Sequence, residues 1–237
     1  MTTVLLLHGI GSSAATWWRM RADLTDLGLE ARAIDLPGHG GRPAPPAARV
    51  ADLVDAVRVD LAAEPVDLLV GHSLGGVVAL ELARRAPDLV GRVLLEDPPS
   101  LTGRSLREVA GGVVEQAVAA RRDTAAFEGA LLAEHPEWSV LDARAVSAGR
   151  QALDIPTAEG LLDGERWDLC ALVADCPVPV QLLAATPPDS ALADPDRAEL
   201  FDVLEGRVLV VSSGHSVHRD RPALWLHAVL AALEDDD

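Results

Sequence analysis

The sequence predicts an α/β fold in which helices cover both faces of a mostly parallel sheet of about six strands. Short apolar runs alternate with longer segments whose apolar residues recur every three or four positions, as in amphipathic helices. The apolar runs are nearly continuous, which is typical of strands that are buried on both faces. Most runs end in glycine, proline or a polar residue, as strands do where a loop begins.

Length and composition favour one α/β domain with an insertion. The chain has 237 residues, of which 49% are hydrophobic, enough for a full core. The formal net charge is −17, and the pI is about 4.7. Such acidity argues against nucleic acid or an anionic membrane surface as a partner. We therefore expect a small-molecule substrate as the partner, and the oligomeric state stays open.

The sequence indicates neither a metal centre nor a cofactor. Cys170 and Cys176 lack the usual partners of a metal site, so we expect them to be reduced and partly buried. The histidines have no carboxylate or cysteine at a matching spacing. No basic segment precedes the first apolar run, and no apolar run approaches about 18 residues. We therefore expect no signal peptide or membrane span, and a cytoplasmic location.

The predicted elements alternate along most of the chain. The predicted strands cover residues 3–7, 31–34, 68–70, 90–95, 178–184 and 207–211. The helices predicted between and after them cover residues 14–27, 50–63, 77–85, 196–204 and 223–233. His8, Asp35, Ser73 and Asp97 follow four of the strands, so we expect them to converge at one crevice beside the sheet. We expect the closing residues 235–237 to fray, because their charges oppose the helix dipole.

The segment around Ser73 carries the clearest catalytic signal. Gly71 and Gly75 flank the serine at two positions on either side, between a buried strand and a helix. A sharp turn there would force Ser73 into a sparsely allowed backbone conformation, which only small neighbours tolerate. It would also expose the hydroxyl at the N-terminus of the helix, where developing negative charge is stabilised. This context favours a nucleophilic serine over an incidental one in a glycine-rich turn.

Residues 100–168 differ from the rest, because strand-like runs disappear and helical segments replace them. We interpret this segment as a helical cap, or lid, inserted into a core formed by residues 1–99 and 169–237. The alternative is a structural appendage that has no role in access to the crevice.

Several motifs together resemble the α/β-hydrolase superfamily. They are His8-Gly9-Ile10-Gly11, the Asp-Leu-Pro-Gly-His-Gly segment at 35–40, the Gly-His-Ser-Leu-Gly-Gly segment at 71–76, and Ser213-Gly214-His215-Ser216. The match covers nearly the whole chain, with a serine, a later acid and a histidine in that order. The family's first two strands look absent here, which implies a trimmed sheet of about six strands.

The resemblance implies roles for four residues. Ser73 would be the nucleophile, and His215 would be the general base that accepts its proton. The backbone N–H groups of Ile10 and Leu74 would form the oxyanion hole. A serine in the nucleophile position disfavours epoxide hydrolase and haloalkane dehalogenase chemistry, because both need a carboxylate there.

The acid of the triad has more than one candidate. Family members usually place it after the strand that ends here near Ala184, but a simple alignment puts Thr186 or Pro188 there, with Asp189 one residue away. A minority of the family uses the position of Asp97. We favour Asp97 and keep Asp189 as the alternative. Glu96 ranks third, because strand alternation points it away from its neighbour's face.

These observations predict a serine hydrolase that cleaves an ester-type bond, as a carboxylesterase or a lactonase does. The substrate would be small to medium in size and apolar. Trp17, Trp18, Phe127 and Trp138 are candidates to line its pocket, although they could equally be core residues. Thioesterase, amidase and carbon–carbon hydrolase reactions use the same chemistry. The alternatives are a receptor-like binding protein with little turnover, and a cofactor-free lyase or haloperoxidase-like enzyme.

Overall fold

Six strands form one sheet: β1 (Thr3–Leu7), β2 (Glu30–Ile34), β3 (Val66–His72), β4 (Val90–Glu96), β5 (Val180–Ala185) and β6 (Val208–Val211). The computed structural model describes residues 1–234, so the prediction for residues 235–237 lies outside the described residues. The strand order is β2-β1-β3-β4-β5-β6, and every neighbouring pair is parallel. The predicted six-stranded α/β fold is therefore confirmed.

Twelve helices, together with the 3-10 turns Ala14–Trp17 and Pro87–Leu89, make up the rest of the secondary structure of residues 1–234. They are α1 (Trp18–Asp26), α2 (Val50–Leu61), α3 (Leu74–Arg85), α4 (Leu106–Ala110), α5 (Gly112–Arg122), α6 (Thr124–Glu134), α7 (Val140–Ala152), α8 (Ile155–Gly164), α9 (Leu169–Ala174), α10 (Asp194–Leu204), α11 (Val217–Asp220) and α12 (Pro222–Glu234). None of the helices in this range has both the length and the apolar character needed to cross a bilayer.

The two faces of the sheet bury alternate residues of the same strand. Leu5 and Leu7 of β1 belong to the larger core, which contains side chains of α2 and α3. Val4 and Leu6 belong to the core on the opposite face, which contains side chains of α1 and α12. Because successive strand residues point to opposite faces, a continuous apolar run can fill both cores at once.

The chain reverses its direction across the sheet after β2. The chain moves outward from β1 to β2, returns past β1 to β3, and then continues to β4, β5 and β6. Loops that follow strands on either side of such a reversal diverge and leave a crevice at the carboxyl ends of the strands. The register sets Leu7 of β1 beside Gly71 of β3 and His72 of β3 beside Glu96 of β4. The strands that carry the candidate site residues therefore end at nearly the same level.

A run of helices separates β4 from β5. Within residues 100–168, all of which the structure describes, there are five helices (α4 to α8) and no strand. Leu131, Ala143 and Val146 form a small apolar cluster of their own there. The division into a core and a cap stays a prediction, while the helical character of the segment is observed.

One local prediction needs correction, and one short helix was not predicted. The helix predicted for residues 14–27 is a 3-10 turn followed by α1, and the Thr16 hydroxyl donates a hydrogen bond to the Ser13 carbonyl within the turn (2.7 Å). Such local bonds favour a tight turn over an α-helix. The sequence also gave no signal for α11, a single helical turn that starts two residues after His215.

Candidate active site

Ser73 occupies a strained turn between β3 and α3. Its backbone lies at φ 53° and ψ −125°, a conformation that L-residues rarely adopt. A Cβ atom at Gly71 would lie 2.3 Å from the carbonyl oxygen of Gly75. A Cβ atom at Gly75 would lie 2.5 Å from the carbonyl oxygen of Leu7. Ser73 N–H also donates a hydrogen bond to the carbonyl of Glu96 (2.9 Å). The spacing of the glycines is therefore what lets the chain turn sharply enough to present Ser73.

His215 forms a short hydrogen bond with the first residue after β4. Its Nδ1 lies 2.6 Å from Oδ2 of Asp97. Asp97 is fully buried, and its carboxylate also accepts hydrogen bonds from the Ser190 hydroxyl (2.6 Å) and from the N–H groups of Ala185 (3.1 Å) and Ala191 (2.8 Å). Burial alone would raise the pKa of Asp97, but the hydrogen bonds from His215 and the other donors outweigh it and lower the pKa. Asp97 is therefore held as a carboxylate beside the imidazole.

Ser73 and His215 line the same cavity. Its volume is about 460 Å³, and Gly9 and Ile10 form another part of its wall. Within the described residues, neither the Ser73 hydroxyl nor Nε2 of His215 has a hydrogen-bond partner. Hydrogen bonds between catalytic groups are often long in a ligand-free site and tighten when substrate binds. The two groups thus face one space and are both available to a ligand.

The three candidate acids have different contacts in the structure. Asp97 contacts His215, whereas Asp189 lines the cavity without bonding to the imidazole. Glu96 is buried on the other side of its strand, where it accepts hydrogen bonds from His218 Nδ1 (2.7 Å) and Trp225 Nε1 (2.9 Å). Alternation along β4 explains why neighbouring acids have such different surroundings.

The backbone donors predicted for the oxyanion hole flank Ser73. Ile10 follows the end of β1 and lines the cavity, while Leu74 is the first residue of α3. The first N–H groups of a helix have no acceptor inside the helix. In the part of the chain that the structure describes, neither the Ile10 nor the Leu74 N–H has an acceptor, which leaves both for a bound oxygen.

The four aromatic residues predicted to line the pocket lie elsewhere, because each is already packed or bonded outside the cavity wall. Trp17 is fully buried in the core beside His218 and Trp225, with a centroid distance of 4.1 Å to the His218 ring. Trp18 is 37% exposed and donates a hydrogen bond to Asp142 (2.9 Å).

The other two candidates belong to the helical segment. Phe127 packs against the small apolar cluster of Leu131, Ala143 and Val146. Trp138 stacks on His135 with a centroid distance of 4.0 Å, and its Nε1 donates to Asp220 (2.7 Å). We therefore no longer assign any of the four aromatic residues to substrate.

The cavity wall contains four charged residues that the sequence did not mark as candidates, in addition to the candidate acid Asp189. Arg104, Arg150, Arg219, Glu108 and Asp189 line it, together with Gln116. The wall therefore combines these polar groups with apolar side chains such as those of Leu106, Val113 and Val146, and the apolar character of the substrate stays a prediction. No local motif marks these arginines, because their positions follow from how the helices after β4 pack over the strand ends.

Three further histidines support the loops around the site. His72 Nε2 donates to the carbonyl of His215 (3.1 Å), and His8 Nε2 accepts a hydrogen bond from Leu36 N–H (3.0 Å). Burial lowers the pKa of His8 to about 4. Burial, with a contribution from His8, lowers the pKa of His39 to about 3. These buried imidazoles are neutral and act as hydrogen-bonding links between loops.

One cluster has the donor types of a metal site. Ligand atoms of His135, Glu137 and Asp220 lie within 4.8 Å of one another. Both carboxylate oxygens of Asp220 already accept hydrogen bonds, from Trp138 Nε1 and from Gly214 N–H. We therefore assign no metal to the cluster.

A serine on the turn after a middle strand of a parallel sheet, with a histidine–aspartate pair at nearby strand ends, defines the class of α/β hydrolases. The model of the alpha/beta hydrolase family matches residues 4–228, and the chain belongs to that family.

Comparisons with individual proteins agree with this assignment. Esterase Rv0045c from Mycobacterium tuberculosis is 31% identical over 98% of this chain and 82% of its own length. Its solved structure superimposes with a TM-score of 0.70, covering 98% of this chain and 85% of that one. The structure of an E-2-(acetamidomethylene)succinate hydrolase gives a TM-score of 0.78 at 23% identity, covers 98% and 91% of the two chains, and supports the fold alone.

A pimeloyl-[acyl-carrier protein] methyl ester esterase from Aromatoleum aromaticum is 44% identical, but over only 39% of this chain and 35% of its own length. The relative that aligns with nearly the whole chain and the one that aligns with part of it are thus both named as esterases.

Proposed function

We propose that this protein is a serine hydrolase that cleaves a carboxylic ester through an acyl-enzyme on Ser73, as a carboxylesterase or a lactonase does. The observation that carries the proposal is the short hydrogen bond between His215 and Asp97. His215 and Ser73 line the same cavity. Esterase Rv0045c, which aligns with nearly the whole chain, supports an ester as the bond that is cleaved.

In the first step, the Ser73 oxygen attacks the ester carbonyl while His215 Nε2 accepts the hydroxyl proton. The carbonyl oxygen becomes an oxyanion and accepts hydrogen bonds from the N–H groups of Ile10 and Leu74. When the tetrahedral intermediate collapses, the bond to the alcohol oxygen breaks and His215 returns the proton to that oxygen. The alcohol leaves, and the acyl group stays on Ser73.

In the second step, water replaces the alcohol. His215 accepts a proton from the water, whose oxygen attacks the acyl carbon. The bond to Ser73 breaks, its oxygen regains the proton, and a carboxylic acid is released. A lactone would follow the same steps, with the alcohol and the acid joined in one product.

Asp97 is a positioning residue for His215. Its hydrogen bond to Nδ1 keeps the proton on that nitrogen, so Nε2 presents a lone pair to the cavity. The carboxylate also stabilises the imidazolium that forms during each step. Its own three additional hydrogen bonds keep it in place.

The cavity favours a substrate of small to medium size. Its volume of about 460 Å³ lies within the range of about 300–1,000 Å³ that is usual for small-molecule sites.

Hydrolysis of p-nitrophenyl acetate and p-nitrophenyl butyrate tests the proposal. The wild-type protein should release p-nitrophenol, and Ser73→Ala should lower kcat by about a thousandfold or more. Rapid quenching of the wild-type reaction should give a protein whose mass has increased by one acyl group. Equal rates for the wild-type protein and Ser73→Ala would refute the assignment of the nucleophile.

A further inference from the structure

We propose that Arg150 and Arg219 form an anion subsite in the cavity of Ser73, and that this subsite binds a carboxylate group carried by the ester substrate. The inference deepens the proposed function and rests on it for the ester, while the anion subsite itself can be tested separately. It replaces the apolar substrate that the sequence predicted with a substrate that bears a negative charge.

Arg150 lines the cavity and has no carboxylate paired with it in the described part of the chain. It lies near the end of α7, where Nε donates to Gln116 (2.8 Å) and Nη1 donates to the carbonyl of Gly11. Both partners are neutral, and within residues 1–234 Arg150 forms no ion pair. The Gly11 contact sets this guanidinium beside the loop that carries Ile10. A bound anion would therefore lie near the reacting carbonyl.

Arg219 also lines the cavity. It belongs to α11, its guanidinium carbon lies 4.6 Å from the Trp138 ring centroid, and Nη2 donates to the Ser216 hydroxyl. Its Nε is buried and has no hydrogen-bond partner within the described residues. The Nε of Arg219 is therefore closed to a ligand, but a guanidinium group in a cavity wall is a strong donor to an oxyanion through its other N–H groups.

The two guanidinium groups are close enough to repel each other. Burial, with a contribution from the positive charge of Arg219, lowers the pKa of Arg150 to about 10. Burial lowers the pKa of Arg219 as well, against the opposing effect of Glu96, Asp220 and Asp142. Like charges in a partly desolvated wall destabilise each other, and an anion that contacts both relieves the repulsion. The pair is therefore arranged for a negatively charged ligand.

The charge balance of the wall favours a single carboxylate. The lining side chains include three guanidinium groups and two carboxylates, an excess of one positive charge. Carboxylates already act on Arg219, whereas Arg150 forms no ion pair within residues 1–234. Arg150 therefore offers one positive charge for a ligand to balance, and a monoanion matches it better than a doubly charged phosphate does. Because the whole chain carries a net charge of −17, a local positive subsite is also what such a ligand needs to enter.

The first test compares two esters of equal chain length, mono-p-nitrophenyl adipate and p-nitrophenyl hexanoate, after subtraction of the rates without enzyme. The wild-type protein should prefer the anionic ester in kcat/KM. Arg150→Gln and Arg219→Gln should each lower the ratio of the two kcat/KM values by about 10- to 100-fold, because each removes charged hydrogen bonds to the carboxylate. Arg150→Lys, which keeps the charge, should retain part of the preference.

Arg144→Gln is the matched control, because Arg144 lies on α7 as well but is exposed and does not line the cavity. It should leave the ratio unchanged. A merely structural role for Arg150 or Arg219 would lower both rates together and also leave the ratio unchanged. That result would overturn the proposal, as would a wild-type preference for the neutral ester.

The second test measures binding by calorimetry and needs no turnover. Monomethyl adipate, which carries a single carboxylate, should bind Ser73→Ala, and Arg150→Gln introduced into that variant should weaken binding by about tenfold or more. Inorganic phosphate should bind more weakly than monomethyl adipate, and tighter binding of phosphate would refute the carboxylate assignment. If monomethyl adipate binds but no ester is hydrolysed, the proposed function fails and the subsite stands. If esters are hydrolysed and monomethyl adipate does not bind, the subsite fails alone.

Discussion

Nδ1 of His215 lies 2.6 Å from Oδ2 of Asp97, although 118 residues separate the two in the chain. The carboxylate is fully buried, whereas 36% of the histidine side chain is exposed. One ring nitrogen is therefore held by the protein, while the other has no hydrogen-bond partner among the described residues and belongs to a side chain that lines the cavity. This asymmetry is what a general base requires, because it fixes the tautomer without blocking proton transfer.

Replacement of the two candidate acids should have very different effects. We expect Asp97→Asn to lower kcat for a p-nitrophenyl ester by about 10³- to 10⁴-fold, because an amide cannot hold the required tautomer. Asparagine also tolerates the positive φ of 42° at this position, so the fold should survive.

Asp189→Asn is the matched comparison, and it should change kcat for a neutral ester by less than about fivefold, because it removes no hydrogen bond to His215. Steady-state kinetics and circular dichroism of both variants check this. A larger loss in Asp189→Asn than in Asp97→Asn would transfer the role to Asp189.

Glu96 should matter for stability rather than for catalysis. Its carboxylate joins β4 to His218 and Trp225, and burial raises the pKa of Glu96. We expect Glu96→Gln to lower the free energy of unfolding by about 2–3 kcal/mol, because the amide leaves one of these buried donors without an acceptor. Urea denaturation measures this loss. The kcat of the folded variant should stay within about tenfold of wild type, and a loss as large as that of Asp97→Asn would contradict the structural role.

The turn at Ser73 should not tolerate even one added methyl group. We expect Gly71→Ala to lower the free energy of unfolding by about 3 kcal/mol or more, because the new Cβ would overlap backbone atoms of α3. Gly129→Ala is the control, because Gly129 lies inside α6 and has open space around it. It should stabilise the protein by about 0.5–1 kcal/mol, and equal urea midpoints for the two variants would contradict the steric account.

Stability should fall as the pH drops, in part because of His39. Its pKa is about 3 in the folded protein, against 6.5 for an unperturbed histidine. Below pH 6.5 the unfolded chain therefore binds a proton that the folded protein does not. The stabilisation from a neutral His39 is complete above that pH and is lost as the pH falls toward about 3.

Between about pH 7.5 and about pH 5.5, the wild-type protein should lose about 1.4 kcal/mol more stability than His39→Gln does. Urea denaturation at both pH values measures the loss of stability in each protein. The contributions of all other titratable groups are the same in both proteins and cancel when the two losses are subtracted. Equal losses would show that His39 is not buried in its neutral form.

The elements of the sheet could be predicted because local sequence determines them. The apolar runs of β1, β3 and β4 must be buried on both faces, and the glycines around Ser73 are needed for its turn whatever the rest of the chain does. Asp97 could be ranked above Asp189 because a strand end holds a side chain in a defined position. These are constraints over a few residues.

The cavity wall could not be predicted in the same way. A buried tryptophan and a pocket tryptophan have the same local sequence pattern, and Trp17 proved to be core. Arg150 and Arg219 lie on two different helices and are 69 residues apart in the chain, yet both line the same cavity. Their convergence depends on how α7 and α11 approach the strand ends. No short-range periodicity encodes such a contact.

The most direct test of the central claim is labelling with a fluorophosphonate, which phosphonylates an activated serine, followed by peptide mapping. We predict a single adduct on the peptide that contains Ser73, none in Ser73→Ala, and much slower labelling of Asp97→Asn. An adduct on a different residue, or unchanged labelling of Ser73→Ala, would contradict the account.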